Sequence, residues 1–251
     1  MKRFLSILMI FILSALPALA DPLPLLEDYT EDIVIPYDES DPSAGIFSYS
    51  YRYPHVDESA EGGMGVYVFF SELLDYENEF IIPMIQDAYE GSDTSTVITY
   101  TVTCNNEDYF SVLLRTEKNI PEHSQVTWKG HVFSRKNGMN GATYSLPMVL
   151  GILSPDENDE WLQEYQTEKV EALVRQMVWS MIEENTDSVD NYSGISEETL
   201  AASFFPSEDF YLDENGDPVF YLQPYDILDE VPEGTDLFTF PITLEDILDE
   251  L

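Results

Sequence analysis

The chain has one cysteine, three histidines and ten basic residues among 251, and each scarcity excludes something. A single thiol, Cys104, makes no internal disulfide, so the fold must stand on packing. Cys104 sits in the β-like run ITYTVTC and reads as a small buried hydrophobe. Ten Lys and Arg face 49 Asp and Glu, a formal charge of −39. Phosphate binding needs Lys and Arg, so nucleic acid and anionic lipid are poor partners. There is no G-x-S-x-G, H-E-x-x-H, C-x-x-C or Walker loop. Gly62, Gly63 and Gly65 form a loop but no G-x-G-x-x-G. His123 and His131 could approach across strands, yet a lone pair without fixed helical spacing does not make a metal site. DENGD (213–217) has part of a calcium loop but the wrong spacing and no later bidentate Glu, so a hairpin turn explains it better. Weak surface Ca²⁺ binding by DENDE (156–160) stays open. The sequence therefore points to no catalytic residue, cofactor or metal.

Long apolar runs are also missing, with one exception at the start. Lys2 and Arg3 precede the apolar stretch Phe4–Leu16, and Ala18-Leu19-Ala20 is a small-x-small cleavage pattern before Asp21. This is the three-part secretory signal, with cleavage expected after Ala20. The run falls short of the ~20 residues that span a bilayer, so no membrane span is expected after cleavage, and the product is expected to be secreted or periplasmic. Loss of Lys2 and Arg3 would take the charge from −39 to −41. Such a surface suits a cationic partner, whose approach it would speed at low salt. Solubility alone is the plainer account of the acidity. The composition, 44% hydrophobic and 13% aromatic, is that of a globular chain.

Four segments follow: the signal (1–20), an acidic, Pro-containing leader (21–44) in which IVIPY could add an edge strand, a segment 45–120, and a C-terminal module 121–251 expected to pack with it. GIFSYSYRYPHV alternates Phe47, Tyr49, Tyr51 and Tyr53 against polar residues, the pattern of a half-buried strand. FFSELLDYENEFIIPMIQDAYE (69–90) reads as helix with a kink or break at Pro83. STVITYTVTC and YFSVLLRTE form a hairpin, and QVTWKGHVFSRKNGMNGATYSLP reads as another. The capping box Ser154-Pro155-Asp156-Glu157 predicts a helix start, and Val170, Leu173, Val174, Met177, Val178, Met181 and Ile182 form its apolar stripe until about Asn185. Asn215-Gly216 marks a hairpin whose strands are apolar on both faces, so they should be covered on both sides. A strand and a short helix capped at Thr243 end the chain. This order predicts an α+β fold, an antiparallel β-sheet packed with two main helices and a short C-terminal helix.

FYLDENGDPVFYLQPYDI followed by FTFPITLEDIL resembles the DUF3298 module of RsiV-type anti-sigma factors. Phe210, Tyr211, Gly216, Val219, Tyr221, Tyr225, Asp226, Ile227, Gly234, Phe238 and Pro241 sit in matching places. SYSYRYPHV, the following helix and the STVITYTV/YFSVLL hairpin resemble the companion DUF4163 segment of PdaC-type peptidoglycan deacetylases. The resemblance spans about 45–251. It implies an exported, envelope-associated module that binds something, since RsiV-type proteins sense basic lysozymes by direct binding. No stretch of this sequence reads as the sigma-binding portion, the membrane span or the deacetylase domain of those proteins, so none of those roles is expected of it. Its loop LDEVPEGT (228–235) is acidic where the family has roughly A-P-Y-A-x-G. The expected function is non-enzymatic binding of a cationic, lysozyme-like protein or of a cell-wall component such as peptidoglycan. The expected contact residues are Tyr225, Asp229, Glu230, Pro232 and Glu233, with Phe220, Tyr221 and Phe238 in the core. The alternatives are an enzyme acting on envelope glycans, marked by a pocket joining a histidine to two buried carboxylates, and a structural envelope protein without a specific ligand.

Overall fold

The computed structural model describes residues 21–121, 123–136, 138–184, 195–228, 235 and 237–251. The expected signal segment lies outside them. The fold is α+β, built on a six-stranded sheet in the order β1 (Tyr29–Pro36), β2 (Ile46–Tyr53), β3 (Thr94–Asn105), β4 (Tyr109–Ile120), β5 (His123–Ser134) and β6 (Ala142–Thr143). The strands of β2 alternate as their sequence requires, with Phe47, Tyr49, Tyr51 and Tyr53 buried on one face. IVIPY contributes to β1, which pairs antiparallel with β2 along its whole length. One pair departs from the antiparallel expectation: β2 and β3 run parallel. A parallel pair needs a crossover helix, and residues 63–88 supply it.

That crossover begins as α1 (Gly63–Tyr76), widens into a π-helical turn (Glu77–Ile81) and ends as α2 (Ile82–Ala88). It starts six residues before the sequence suggests, because Gly62, at φ 78°, turns the chain into the helix. Pro83 does not end the helix, but the winding changes just before it: the Ile82 N–H reaches back to the Glu77 carbonyl, and Pro83 has no N–H to continue the ladder. Gly63 and Gly65 are packing glycines. A Cβ on Gly65 would lie 2.3 Å from the Gly141 carbonyl oxygen, so the loop closes directly on the Asn140-Gly141 turn.

After β6 come α3 (Leu146–Val149) and α4 (Glu160–Glu184). The capping box at Ser154 closes only a turn, in which Glu157 N–H donates to the Ser154 carbonyl. Asp159 caps the helix instead, accepting from Leu162 N–H at 3.2 Å. Val170, Val174, Val178 and Ile182 are the buried stripe of α4. α5 (Glu197–Ser203) leads to a second, three-stranded antiparallel sheet of β7 (Phe210–Leu212), β8 (Pro218–Leu222) and β9 (Phe238–Pro241). All five residues of β8 are buried, as strands apolar on both faces demand. Gly216 holds the β7–β8 turn at φ 88°, and Asp213 accepts from the amides of Asn215 and Asp217. The short α6 (Pro224–Ile227) follows β8, and α7 (Leu244–Glu250), capped by Thr243, closes the chain.

Two apolar cores result. Phe110 and Phe133 belong to the one under α1, whereas Tyr109 and Val132, their neighbours in sequence, belong to the one under α4 and β7–β9. Successive residues of a strand point to opposite faces, so the β4–β5 end of the sheet is covered on both sides.

Candidate functional site

The second sheet is attached to the free edge of β5 by side chains. The Gln223 amide does the work of a strand residue: its Oε1 accepts from Trp128 N–H at 3.1 Å, and its Nε2 donates to the Trp128 carbonyl at 2.7 Å. Two residues on, Gly130 N–H donates to the Tyr221 hydroxyl at 2.9 Å. A Cβ at Gly130 would come within 2.0 Å of the Phe210 carbonyl oxygen, so only glycine lets β7 cross β5 this closely. The joint leaves a cleft of about 590 Å³ between β5, the end of α5 and the β8–α6 corner.

Trp128, Lys129, Phe205, Asp209, Tyr225 and Asp226 give the cleft its chemistry. Asp209 is fixed by a tight turn: its carboxylate accepts from Phe205 N–H at 2.8 Å, and its own N–H donates back to the Phe205 carbonyl. Phe205 and Tyr225 keep 47% and 44% of their surface open, which leaves their rings available to a ligand. Burial pushes the Asp226 carboxyl up to about 6, and the negative charge of Asp209 adds to the shift. Burial also raises Asp209, against the opposing pull of the Phe205 amide and Lys129. Lys129 is the cation in the cleft wall, but its Nζ is engaged with Glu208 at the rim, 2.9 Å away. Two carboxylates that are costly to ionise thus share a ring-lined cleft in which, among the described lining residues, the one cation is Lys129, already paired with Glu208. An ammonium or guanidinium entering there would meet carboxylates and aromatic faces together.

Of the residues expected from sequence to make contacts, Tyr225 lines this cleft. Asp229, Glu230, Pro232 and Glu233 lie outside the described residues. Phe220 and Tyr221 are fully buried, and Phe238 is half-buried against the core. The sequence gives no sign that Trp128, Asp209 and Asp226 share a cleft, because no spacing links residues from three separate elements. The histidines do not converge on the cleft. His123 and His131 share β5; His123 is exposed, and His131 is packed against Phe69 at 4.8 Å between ring centroids. Among the described residues no cluster of three or more His, Cys, Asp and Glu side chains is placed to hold a metal, and no helix is long and apolar enough to cross a membrane. Cys104 is buried, and burial pushes its thiol up to about 11.

No protein-family model matches the sequence, and no curated protein matches it. Solved structures do match. A DUF3298 family protein from Pseudomonas aeruginosa PAO1 superposes with a TM-score of 0.54 at 12% identity, covering 91% of this chain and 94% of its own. A member of the same family from Bacteroides fragilis NCTC 9343 gives a TM-score of 0.50 at 12% identity, covering 91% of each chain. At this identity the likeness concerns the path of the backbone and not the cleft's side chains. Over the 91% of its length that both matches cover, the chain has the DUF3298-like fold.

Proposed function

We propose that this chain is an exported, non-catalytic binding protein of the cell envelope that captures a cationic protein through the cleft at the β5–β8 joint. The observation that carries this reading is the cleft itself, in which Asp209 and Asp226, two carboxylates raised by burial, stand beside open aromatic rings while Lys129, the cation in its wall, is ion-paired with Glu208. A lysine or arginine side chain from the partner would supply that charge, and the surface charge of −39 would draw such a partner in. A basic lysozyme is the first partner to test; a basic protein of similar charge and unrelated shape is the control. Calorimetric titration at low and moderate salt should give micromolar or tighter binding that weakens with salt. The double variant Asp209→Asn, Asp226→Asn should weaken it by about tenfold or more. Absence of binding at both salts removes the lysozyme version. Equal binding of the control protein reduces the effect to general acidity.

A second reading rests on the same carboxylates. A carboxyl raised to about 6 beside another carboxylate is a combination used in glycoside hydrolysis. Release of reducing ends from peptidoglycan by the wild type, abolished in Asp226→Asn, would establish an enzyme and end the binding-only reading.

A further inference from the structure

We infer that the ridge formed by Tyr76, Phe80 and Met84 is a docking surface for a basic amphipathic helix of a partner protein. These side chains are 53%, 58% and 58% exposed. The Tyr76 and Phe80 rings touch, with centroids 5.6 Å apart, so they form one continuous apolar surface. Contiguous exposed apolar surface on a charged protein marks interaction sites.

Tyr76, Phe80 and Met84 recur at four-residue spacing, and all three stay exposed across the π-helical turn Glu77–Ile81. In an α-helix a four-residue step overshoots a full turn by about 40°, and the wider winding of the π-helical turn offsets that drift. The opposite face locks the rotation. Glu77 is buried and accepts from the hydroxyls of Tyr49 and Tyr53 on β2, while Ile82 and Ile85 enter the core. The ridge therefore cannot turn inward to hide itself. Apolar side chains at four-residue spacing on one exposed helical segment are the ridge that packs into the groove of another helix.

Charge decides the occupant. Glu72, Asp75, Glu79 and Asp87 are exposed on the same crossover, and no Lys or Arg occurs between Arg52 and Arg115. An acidic border repels anionic lipid and nucleic acid. It repels a second copy of this chain as well, since each border would face its like. It favours a helix with an apolar face flanked by lysines or arginines.

The inference does not depend on the cleft at the β5–β8 joint. The test uses the purified protein and a fluorescent Leu/Lys peptide whose leucines fall on one helical face. A peptide of the same composition with the leucines dispersed is the control. The amphipathic peptide should bind about tenfold tighter than the control. The double variant Phe80→Ser, Met84→Ser should erase that difference, and Asp226→Asn should leave it intact. Equal binding of both peptides, or a difference that survives in the ridge variant, overturns the proposal and leaves only nonspecific attraction to acid. Self-association in sedimentation that the ridge variant abolishes also overturns it, by making a second copy the occupant.

Discussion

His131 is held neutral inside the fold, and its titration should be visible in the stability of the protein. Burial lowers its pKa to about 4, with the nearby Lys129 charge adding to the effect. In the unfolded chain the same imidazole titrates near 6.5. Between those values the unfolded chain takes up the proton more readily than the folded one. Stability contributed by neutral His131 is therefore present above about 6.5 and is lost as pH falls toward 4, to the extent of about 3 kcal/mol. Asp226 works in the other direction. Its folded pKa of about 6 lies above the unfolded value, so it destabilises the fold at neutral pH and ceases to do so on acidification. Burial raises Asp209 and Glu77 as well, and protonation also relieves the repulsion among the surface acids, so the carboxylates as a group oppose the histidine on acidification. The histidine is isolated by comparison: between neutral pH and pH 4 the urea midpoint of the wild type should drop relative to that of His131→Leu. A variant whose midpoint follows the wild type's at both pH values would assign the effect elsewhere.

At the scale of elements, the segment after Ala20 is built into the fold. Leu23 is 1% exposed in the core under α1, and the Asn105 side chain takes both its N–H, at 2.7 Å, and its carbonyl, at 3.0 Å. Arg135 donates to the Asp21 carbonyl at 2.9 Å, and Leu26 N–H donates to the His55 carbonyl. Leu23→Ala should cost about 2–5 kcal/mol, read as a lower denaturant midpoint, whereas Leu26→Ala, at a side chain left 47% exposed, should cost little. Equal effects would mean that the strap is not packed as described. The sequence reads this stretch as an extended leader because prolines and acids dominate it, and one buried leucine leaves no periodic trace. Elements with a repeat were legible: the alternation of β2, the stripe of α4, and β8 with its two apolar faces. Elements decided by competition between neighbours were not. Ser154 has the residues of a helix start, but Asp159 takes the Leu162 amide in the first turn of α4. The π-helical turn leaves two traces in the sequence: Pro83 just after it, which lacks an N–H for the ladder, and an acid, Glu77, at a core position, where two tyrosine hydroxyls satisfy it. The cleft was legible only through Tyr225, because its other walls come from β5 and the α5–β7 connection and meet only once the second sheet has docked.

At the scale of the molecule, the acidic excess acts on folding and on binding with opposite signs. Forty-nine carboxylates against ten basic residues repel one another more strongly in the compact state than in the expanded one. The local remedies are few. The ion pair of Lys129 with Glu208 is at the surface, where such pairs contribute at most about 1 kcal/mol, and Arg52, itself exposed, pairs with the more covered Asp28. Salt shortens the reach of the remaining repulsion to about 8–10 Å at physiological strength. Added sodium chloride should therefore raise Tm over the low-salt range, where a neutral protein would show little change. The same salt screens the attraction between this surface and a cationic partner, so the association rate should fall steeply across that range. The two trends come from one field and must appear together. If Tm is flat while binding weakens, the carboxylates are too dispersed to strain the fold and the binding charge is local to the partner's contact. If Tm rises while binding is indifferent to salt, the acidity serves the surface alone, and the contact with any partner is apolar.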